Sequence, residues 1–346
     1  MGSTIDDEGH TELPYSIAAS CAASERLQVV AGADLQPERR QAFGERWGVA
    51  LYEDANDMVA QEAPDLVAIC TTASGLAKPA AIAPDAGFRG DSHAELTIAM
   101  AEAGVPMLYV EKAMASSMAM ADAARDACEK QRLSFNSGVL RRFDNRYEVV
   151  KDAIAAGAIG EPRTAVHFAR SRLMHMGIHS IDTLSYLLGD PPIEAVRGEL
   201  LPRDFQIVGD QIPSDPDATY QLRFANGVDA WSVPSGNWEF EVHGTEGAIR
   251  SIENGAGATL RVAKKSEGRA LRWEETPFEF VTAASPVVTC LEDLVYACES
   301  NRSTRGPVDL SHHITGACIG IAESHRQGGA WIEPHSVPRD LYIFHV

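Results

Sequence analysis

The sequence predicts an α/β domain followed by an α+β domain, and three observations carry that prediction. In the first half, short apolar runs alternate with helical patterns long enough to be crossovers, which marks a parallel sheet. Beyond Arg142 the rhythm changes: from about Ile193 to Trp273 strand-like runs follow one another, with a hairpin signal at Ala225-Asn226-Gly227. That pattern marks an antiparallel sheet with helices on one side. The chain has 346 residues, enough for two domains at about 150 residues each. The expected division is 1–140 and 141–346.

The elements follow in order. Leu27–Ala33 reads as a buried strand, and Pro37–Trp47 as a helix with proline in its first turn. Tyr15–Ala23 reads as the end of an earlier helix. Asp65–Cys70 is the next strand. Ser92 followed by Glu95 forms a capping-box pattern opening a helix that ends near Gly104. Met107–Val110, Ser117–Lys130 and Leu133–Ser137 continue as strand, helix and strand. Leu76–Asp91, with Pro79, Pro84, Gly75, Gly87 and Gly90 in or beside it, interrupts the alternation as a long loop. Asp144 caps a helix to Ala156, followed by a strand at Arg163–Ala169 and a helix near Gly177–Leu188. Strands are expected at Thr219–Phe224, Val228–Val233, Trp238–His243, Ala248–Ile252 and Thr259–Val262, and late helices at Val287–Ser300 and Leu310–Gln327.

Composition narrows the partners. Lys plus Arg number 30 against 49 Asp plus Glu, a net charge of −19, and a polyphosphate backbone would repel such a surface. No nucleic acid is expected. No apolar run approaches the roughly 18–20 residues that span a bilayer, and the acidic N-terminus is unlike a signal peptide. No membrane association is expected, and the expected compartment is the cytoplasm. The 6 cysteines are scattered without a CxxC pair, as suits buried free thiols.

Several residues carry possible chemistry. Asp34 ends the first strand, where an acid either accepts from the hydroxyls of a ribose or caps the next helix. Arg39, one turn on, either meets a 2′-phosphate or is a solvated helix residue. Glu111-Lys112 follows a strand at the carboxyl edge, where parallel sheets gather ligands. A lysine there hydrogen-bonds a substrate hydroxyl, or the two residues form a salt-bridged strand end. His175, His179 and Asp182 are spaced i, i+4, i+7 and on a helix share a stripe about 60° wide. That stripe suits a general base with its orienting partners, a metal site, or a polar packing seam. Between positions 141 and 172, seven basic residues face four acidic ones, an island of +3. It either holds an anion or pairs with the protein's own acids. His312-His313 read as capping or surface residues.

In this order the pieces resemble the Gfo/Idh/MocA oxidoreductases, the glucose–fructose oxidoreductase and inositol dehydrogenase family. The stretches that carry the resemblance are VVAGADLQPERRQAFGERWGV (29–49), DLVAICT (65–71), HAELTIAMAEAGVPMLYVEKAMA (93–115), RRFDNRY (141–147), GAIGEP (157–162) and HMGIHSIDTLSYLLGD (175–190). The resemblance implies a Rossmann-like parallel sheet over 1–140 and an open antiparallel sheet in an α+β substrate and oligomerisation domain over 141–346. It also implies NAD(P)-linked oxidoreduction of a sugar, cyclitol or related polyol, and a homo-oligomer built through the second sheet. Lys112 matches the family's Glu-Lys-Pro lysine at the reacting hydroxyl, and His179 its acid/base histidine. His175 is expected to assist it. Asp182 and Arg142 are expected at the substrate, and Asp34, Arg39, Thr71 and Glu111 at the cofactor.

The chain departs from the family pattern at three places. Ala113 stands for proline, His175 for an aspartate, and no G-x-G-x-x-G follows an opening strand, so the first strand of the sheet is missing. Either the chain is an N-terminally shortened form, with weak or lost dinucleotide affinity, or the fold closes around the gap. Two alternatives to a dehydrogenase therefore stand: a cofactor-less binding or partner subunit, and a metal-dependent, non-redox sugar-processing enzyme.

Overall fold

The computed structural model describes residues 2–9, 12–72, 91–265, 271–278 and 281–345. Most of the expected long loop, residues 76–90, lies outside them. The chain forms two compact units, one of Met1–Phe143 with Ala284–His312, the other of Asp144–Ala283 with His313–His345.

The first unit opens with a 3-10 turn at Ile5–Glu8 and helix α1 (Ile17–Ala23), capped by Ser16. Strand β1 (Ala31–Ala33), helix α2 (Pro37–Trp47) and strand β2 (Ala50–Tyr52) follow, then α3 (Ala55–Glu62) and β3 (Leu66–Ile69). Next come α4 (Ser92–Glu102), β4 (Met107–Val110), α5 (Met118–Gln131) and β5 (Ser134–Ser137). All strand pairs are parallel, as crossover helices require. They form two separate sheets among the described residues, β1–β2 and β3–β4–β5.

The expected strand at 27–33 is thus shortened to three residues. β1 pairs with β2 over Ala31–Ala33 only, and Leu27 and Val29 instead pack their side chains on the core. That core joins Ile17 and Cys21 of α1 to Met107 and Tyr109 of β4 and to Val287, Cys290, Leu291 and Leu294. The last four lie on α8 (Pro286–Ser300) at the i, i+3, i+4, i+7 spacing of one apolar stripe. Burying each contributes about 1.5–3 kcal/mol.

A buried polar network holds the chain after α8. Asp293 accepts from Asn136 Nδ2 at 3.1 Å, the Arg305 amide at 2.8 Å and Arg302 at 3.2 Å. Asn136 in turn accepts from the Gly306 amide at 3.0 Å, and Thr304 donates to the Phe135 carbonyl at 2.5 Å.

The second unit holds α6 (Asn145–Ala155), β6 (Pro162–Phe168), α7 (Gly177–Leu187), β7 (Ile193–Leu201) and β8 (Gln211–Ile212), then β9 (Asp217–Phe224), β10 (Asp229–Val233), β11 (Glu239–Gly244), β12 (Gly247–Ile252), β13 (Gly257–Lys265) and β14 (Leu271–Pro277). Eight of its strands, among the described residues, form one sheet in the order β14-β13-β12-β11-β6-β10-β9-β7. The sheet is not purely antiparallel. β10 (Asp229–Val233) runs parallel to β6 while pairing antiparallel with β9 (Asp217–Phe224). The sequence shows strands and turns but not which distant strand lies alongside. One face is covered by α7, rich in buried Ile178, Ile181 and Leu184. The last helix, α9 (Val308–Arg326), supplies buried Ile314, Cys318 and Ile321. No described helix is long and apolar enough to cross a membrane, and all six cysteines are free.

Candidate active site

The carboxyl edge of β3–β4–β5 gathers the polar groups of the first unit. The last rung between β3 and β4 is the Glu111 amide donating to the Ile69 carbonyl at 2.9 Å. Glu111 is buried and accepts from the Tyr109 hydroxyl at 2.5 Å. Gly138, just past β5, leaves room for that pair. A Cβ there would lie 2.8 Å from both Glu111 Oε2 and the Tyr109 hydroxyl, closer than side-chain atoms pack. Lys112 is half-buried, and its peptide bond to Ala113 is cis.

Three consecutive buried side chains at the start of α4 face the same edge. The expected capping box does not form. Asp91 holds the N-cap position without a side-chain cap bond, and Ser92 turns its hydroxyl to the Thr72 carbonyl, 3.0 Å from Thr71 Oγ1. His93 places Nδ1 2.7 Å from the Ala113 carbonyl and Nε2 2.8 Å from the Thr71 carbonyl. Spacing alone does not single it out, since a histidine at an apolar helix start carries no pattern of its own. Asp91 accepts from the Ser116 amide, and its Oδ1 has no hydrogen-bond partner among the described residues.

Burial pushes the Asp91 carboxyl from 3.8 up to about 7, against the pull of the Ser116 and Ala94 amides. A raised carboxyl favours folding most below its unfolded value, and that contribution is lost as pH rises through the folded value. Asp91→Asn should therefore gain stability over the native chain between pH 4 and 7, by about 1.4 kcal/mol per pH unit, and hold the gain above. Thermal melts of both proteins across that range check this; parallel Tm–pH curves would refute it.

At the end of β1, Asp34 accepts from the Gln36 amide at 2.8 Å, shaping the entry to α2, while its other carboxylate oxygen carries no hydrogen bond among the described residues. Helix entry and ribose acceptor are thus compatible roles. Arg39 is exposed on α2; the neighbouring Arg40 instead donates to the Asp34 carbonyl at 2.6 Å. Ahead of α1, the Tyr15 and Ser16 amides donate to the Asp6 carboxylate at 2.7 and 3.0 Å. Burial raises the Asp6 carboxyl, and these hydrogen bonds outweigh it and hold its pKa down.

In the second unit, α7 begins at Gly177, so His175 precedes the helix and the expected three-residue stripe is reduced to His179 and Asp182. The turn before α7 is fixed by Asp215, which accepts from the amides of Met174 and His175 at 2.8 and 2.7 Å. His179 is half-buried and Asp182 buried. Tyr220 donates to Ser180 at 2.6 Å, pinning the inner face of α7 to the sheet. The described residues hold no group of three or more His, Cys, Asp or Glu arranged to hold a metal ion.

The basic island pairs with local acids: Arg146 with Asp144, Lys151 with Asp152, Arg163 with Glu161 and Arg170 with Asp217. Arg142 is buried in the first unit, donating to the Arg305 carbonyl at 2.9 Å. His312 and His313 are not surface residues. His312 is buried and contacts Asp122 at 2.7 Å, and His313 accepts from the Ile193 amide at 2.9 Å. The helix containing them starts at Val308, two residues earlier than expected, with His312 buried and His313 half-buried on it.

Parallel strands with polar groups at their carboxyl ends, joined in one chain to a largely antiparallel α+β unit, are the architecture of a class of dinucleotide-fold proteins. The chain belongs to the Gfo/Idh/MocA family: residues 13–138 match its oxidoreductase family, NAD-binding Rossmann fold, and residues 147–250 match the GFO/IDH/MocA C-terminal domain. It is 32% identical over 139 residues to inositol 2-dehydrogenase of Rubrobacter xylanophilus, covering 39% of this chain and 34% of that protein. The curated relatives it matches are covered over 34% to 47% of their own length. Among solved structures it is similar to aldose-aldose oxidoreductase from Caulobacter crescentus complexed with glycerol (TM-score 0.73, 20% identity, 92% of this chain and 95% of that one). It is also similar to a levoglucosan dehydrogenase in complex with NADH and levoglucosan (TM-score 0.68, 20% identity, 88% and 89% covered). At such identities these two likenesses establish the fold.

Proposed function

We propose that the chain is a nicotinamide-dependent dehydrogenase that oxidises a hydroxyl of a sugar, cyclitol or related polyol, or reduces the matching carbonyl. The observation that carries this reading is Lys112, half-buried at the carboxyl edge of the sheet between the Glu111 backbone rung and the Ala113 carbonyl bound by His93. When bound, the nicotinamide supplies a hydride acceptor. Lys112 hydrogen-bonds the reacting hydroxyl and holds its oxygen. In the second unit His179 is the residue proposed as proton acceptor, with His175 and Asp182 as its accompanying polar groups. Thr71 and Glu111 border the cofactor side. Arg142 is assigned a bracing role, because its guanidinium binds a backbone carbonyl inside the first unit.

The reading extends to the cofactor's identity. Asp34 accepts from a ribose diol and repels a 2′-phosphate, so NAD is preferred over NADP. Calorimetric titration with each nucleotide, with initial rates over a panel of inositols, aldoses and glycerol, tests both parts. The expected result is tighter binding of NAD+ and turnover of at least one polyol. Binding without turnover across the panel would favour a non-catalytic subunit. Binding of neither nucleotide would favour a cofactor-less one.

A further inference from the structure

We propose that His93, supported by Asp91 and Ser92, is a positioning residue that clamps the Lys112–Ala113 turn against the end of β3. The proposal rests on the reading of Lys112 given above. Past the Glu111–Ile69 rung the two chains diverge, and backbone beyond a ladder has to find other partners. Here two carbonyls, of Thr71 and Ala113, face one another across the gap, and two acceptors cannot bond without a donor between them. An imidazole is a compact, rigid side chain with ring nitrogens at two separated positions, one of which carries the N–H in the neutral form that burial favours. Fully buried, His93 places Nε2 2.8 Å from the Thr71 carbonyl and Nδ1 2.7 Å from the Ala113 carbonyl, and its N–H donates to one of the two.

The residues on either side complete the clamp. Ser92 fixes the Thr72 carbonyl next to Thr71, and Asp91 holds the Ser116 amide three residues beyond Ala113. The start of α4 therefore grips both banks of the edge, and Lys112 lies on the gripped turn. In this family pattern a proline follows the lysine, whereas this chain has Ala113. The backbone here is held from outside by the imidazole and not by a pyrrolidine ring. Burial holds the His93 pKa below its usual value, against the pull of the Ala113 and Thr71 carbonyls and of Glu111.

The test compares the native chain with His93→Leu, which keeps bulk and removes the ring N–H, and His93→Gln, which retains donor capacity. Hydrogen exchange of the 112–117 segment reads the clamp directly; kcat and KM with a turned-over polyol read its consequence. His93→Leu should speed exchange of that segment about tenfold or more, the loss of a buried hydrogen bond. It should also lower kcat about tenfold with KM for NAD+ within about twofold, and His93→Gln should recover part of both. Native exchange rates in the segment would overturn the proposal, as would faster exchange spread evenly over the whole first unit. If the native chain turns over no polyol, the dehydrogenase reading fails and the exchange measurement alone decides the clamp. If His93→Leu does not fold, His93→Gln is judged by the same criteria.

Discussion

Lys112→Met should lower kcat for polyol oxidation by about 10²- to 10⁴-fold, the range lost when a positioned proton-handling group is removed. Methionine keeps an apolar stem of similar length, so the half-buried part of the side chain remains filled. The melting temperature should change by no more than about 2 °C, because the charge sits at an edge and outside the core. Lys112→Arg is expected to rescue little, since a planar guanidinium does not reproduce a point donor at the same reach. Initial rates under saturating NAD+ and a thermal melt check both halves. A kcat within about threefold of native would remove Lys112 from the chemistry.

Asp293→Ala should produce the largest loss of stability. One carboxylate accepts from Asn136, from the Arg305 amide and from Arg302. Truncation leaves a buried amide and a side-chain amide short of partners, at about 1–3 kcal/mol each. The Arg302 side chain is 46% exposed and can turn to water, which limits its share. A total of about 3 kcal/mol should lower Tm by roughly 6–12 °C for a unit of this size. Asp293→Asn keeps an acceptor oxygen and should lose less than half of that. Urea melts resolve the two, and equal losses for both variants would show that the carboxylate's acceptor role is not what holds the segment.

The elements of this fold were legible wherever local pattern decides them. Pro37–Trp47 and Met107–Val110 fall on the expected residues because a proline start and a short apolar run need no distant partner to declare themselves. The short β2 and the α3 helix after it went unseen. Three residues of strand, exposed or half-buried, and an eight-residue helix with one buried residue leave little periodicity to detect. The i, i+4, i+7 spacing put His175 on one helical stripe with His179 and Asp182, but His175 lies before the helix, in a turn where Asp215 accepts from its amide. His93 was hidden for a different reason: its ring nitrogens face two backbone carbonyls, and carbonyls are the same at every position of a sequence.

The sequence by itself determined the alternation of strand and helix, the change to an antiparallel-rich second half, and the placing of Glu111-Lys112 at a strand's carboxyl end. All of these depend on residue type and spacing along a few turns of chain. Only the tertiary structure decided that β10 lies parallel to β6, that residues 284–312 return to the first unit, and that an imidazole and a carboxyl from α4 grip the turn that carries Lys112. Those are choices among partners far apart in the chain. They are made by which buried donors and acceptors can all be satisfied at once, and no local stretch of residues encodes that condition.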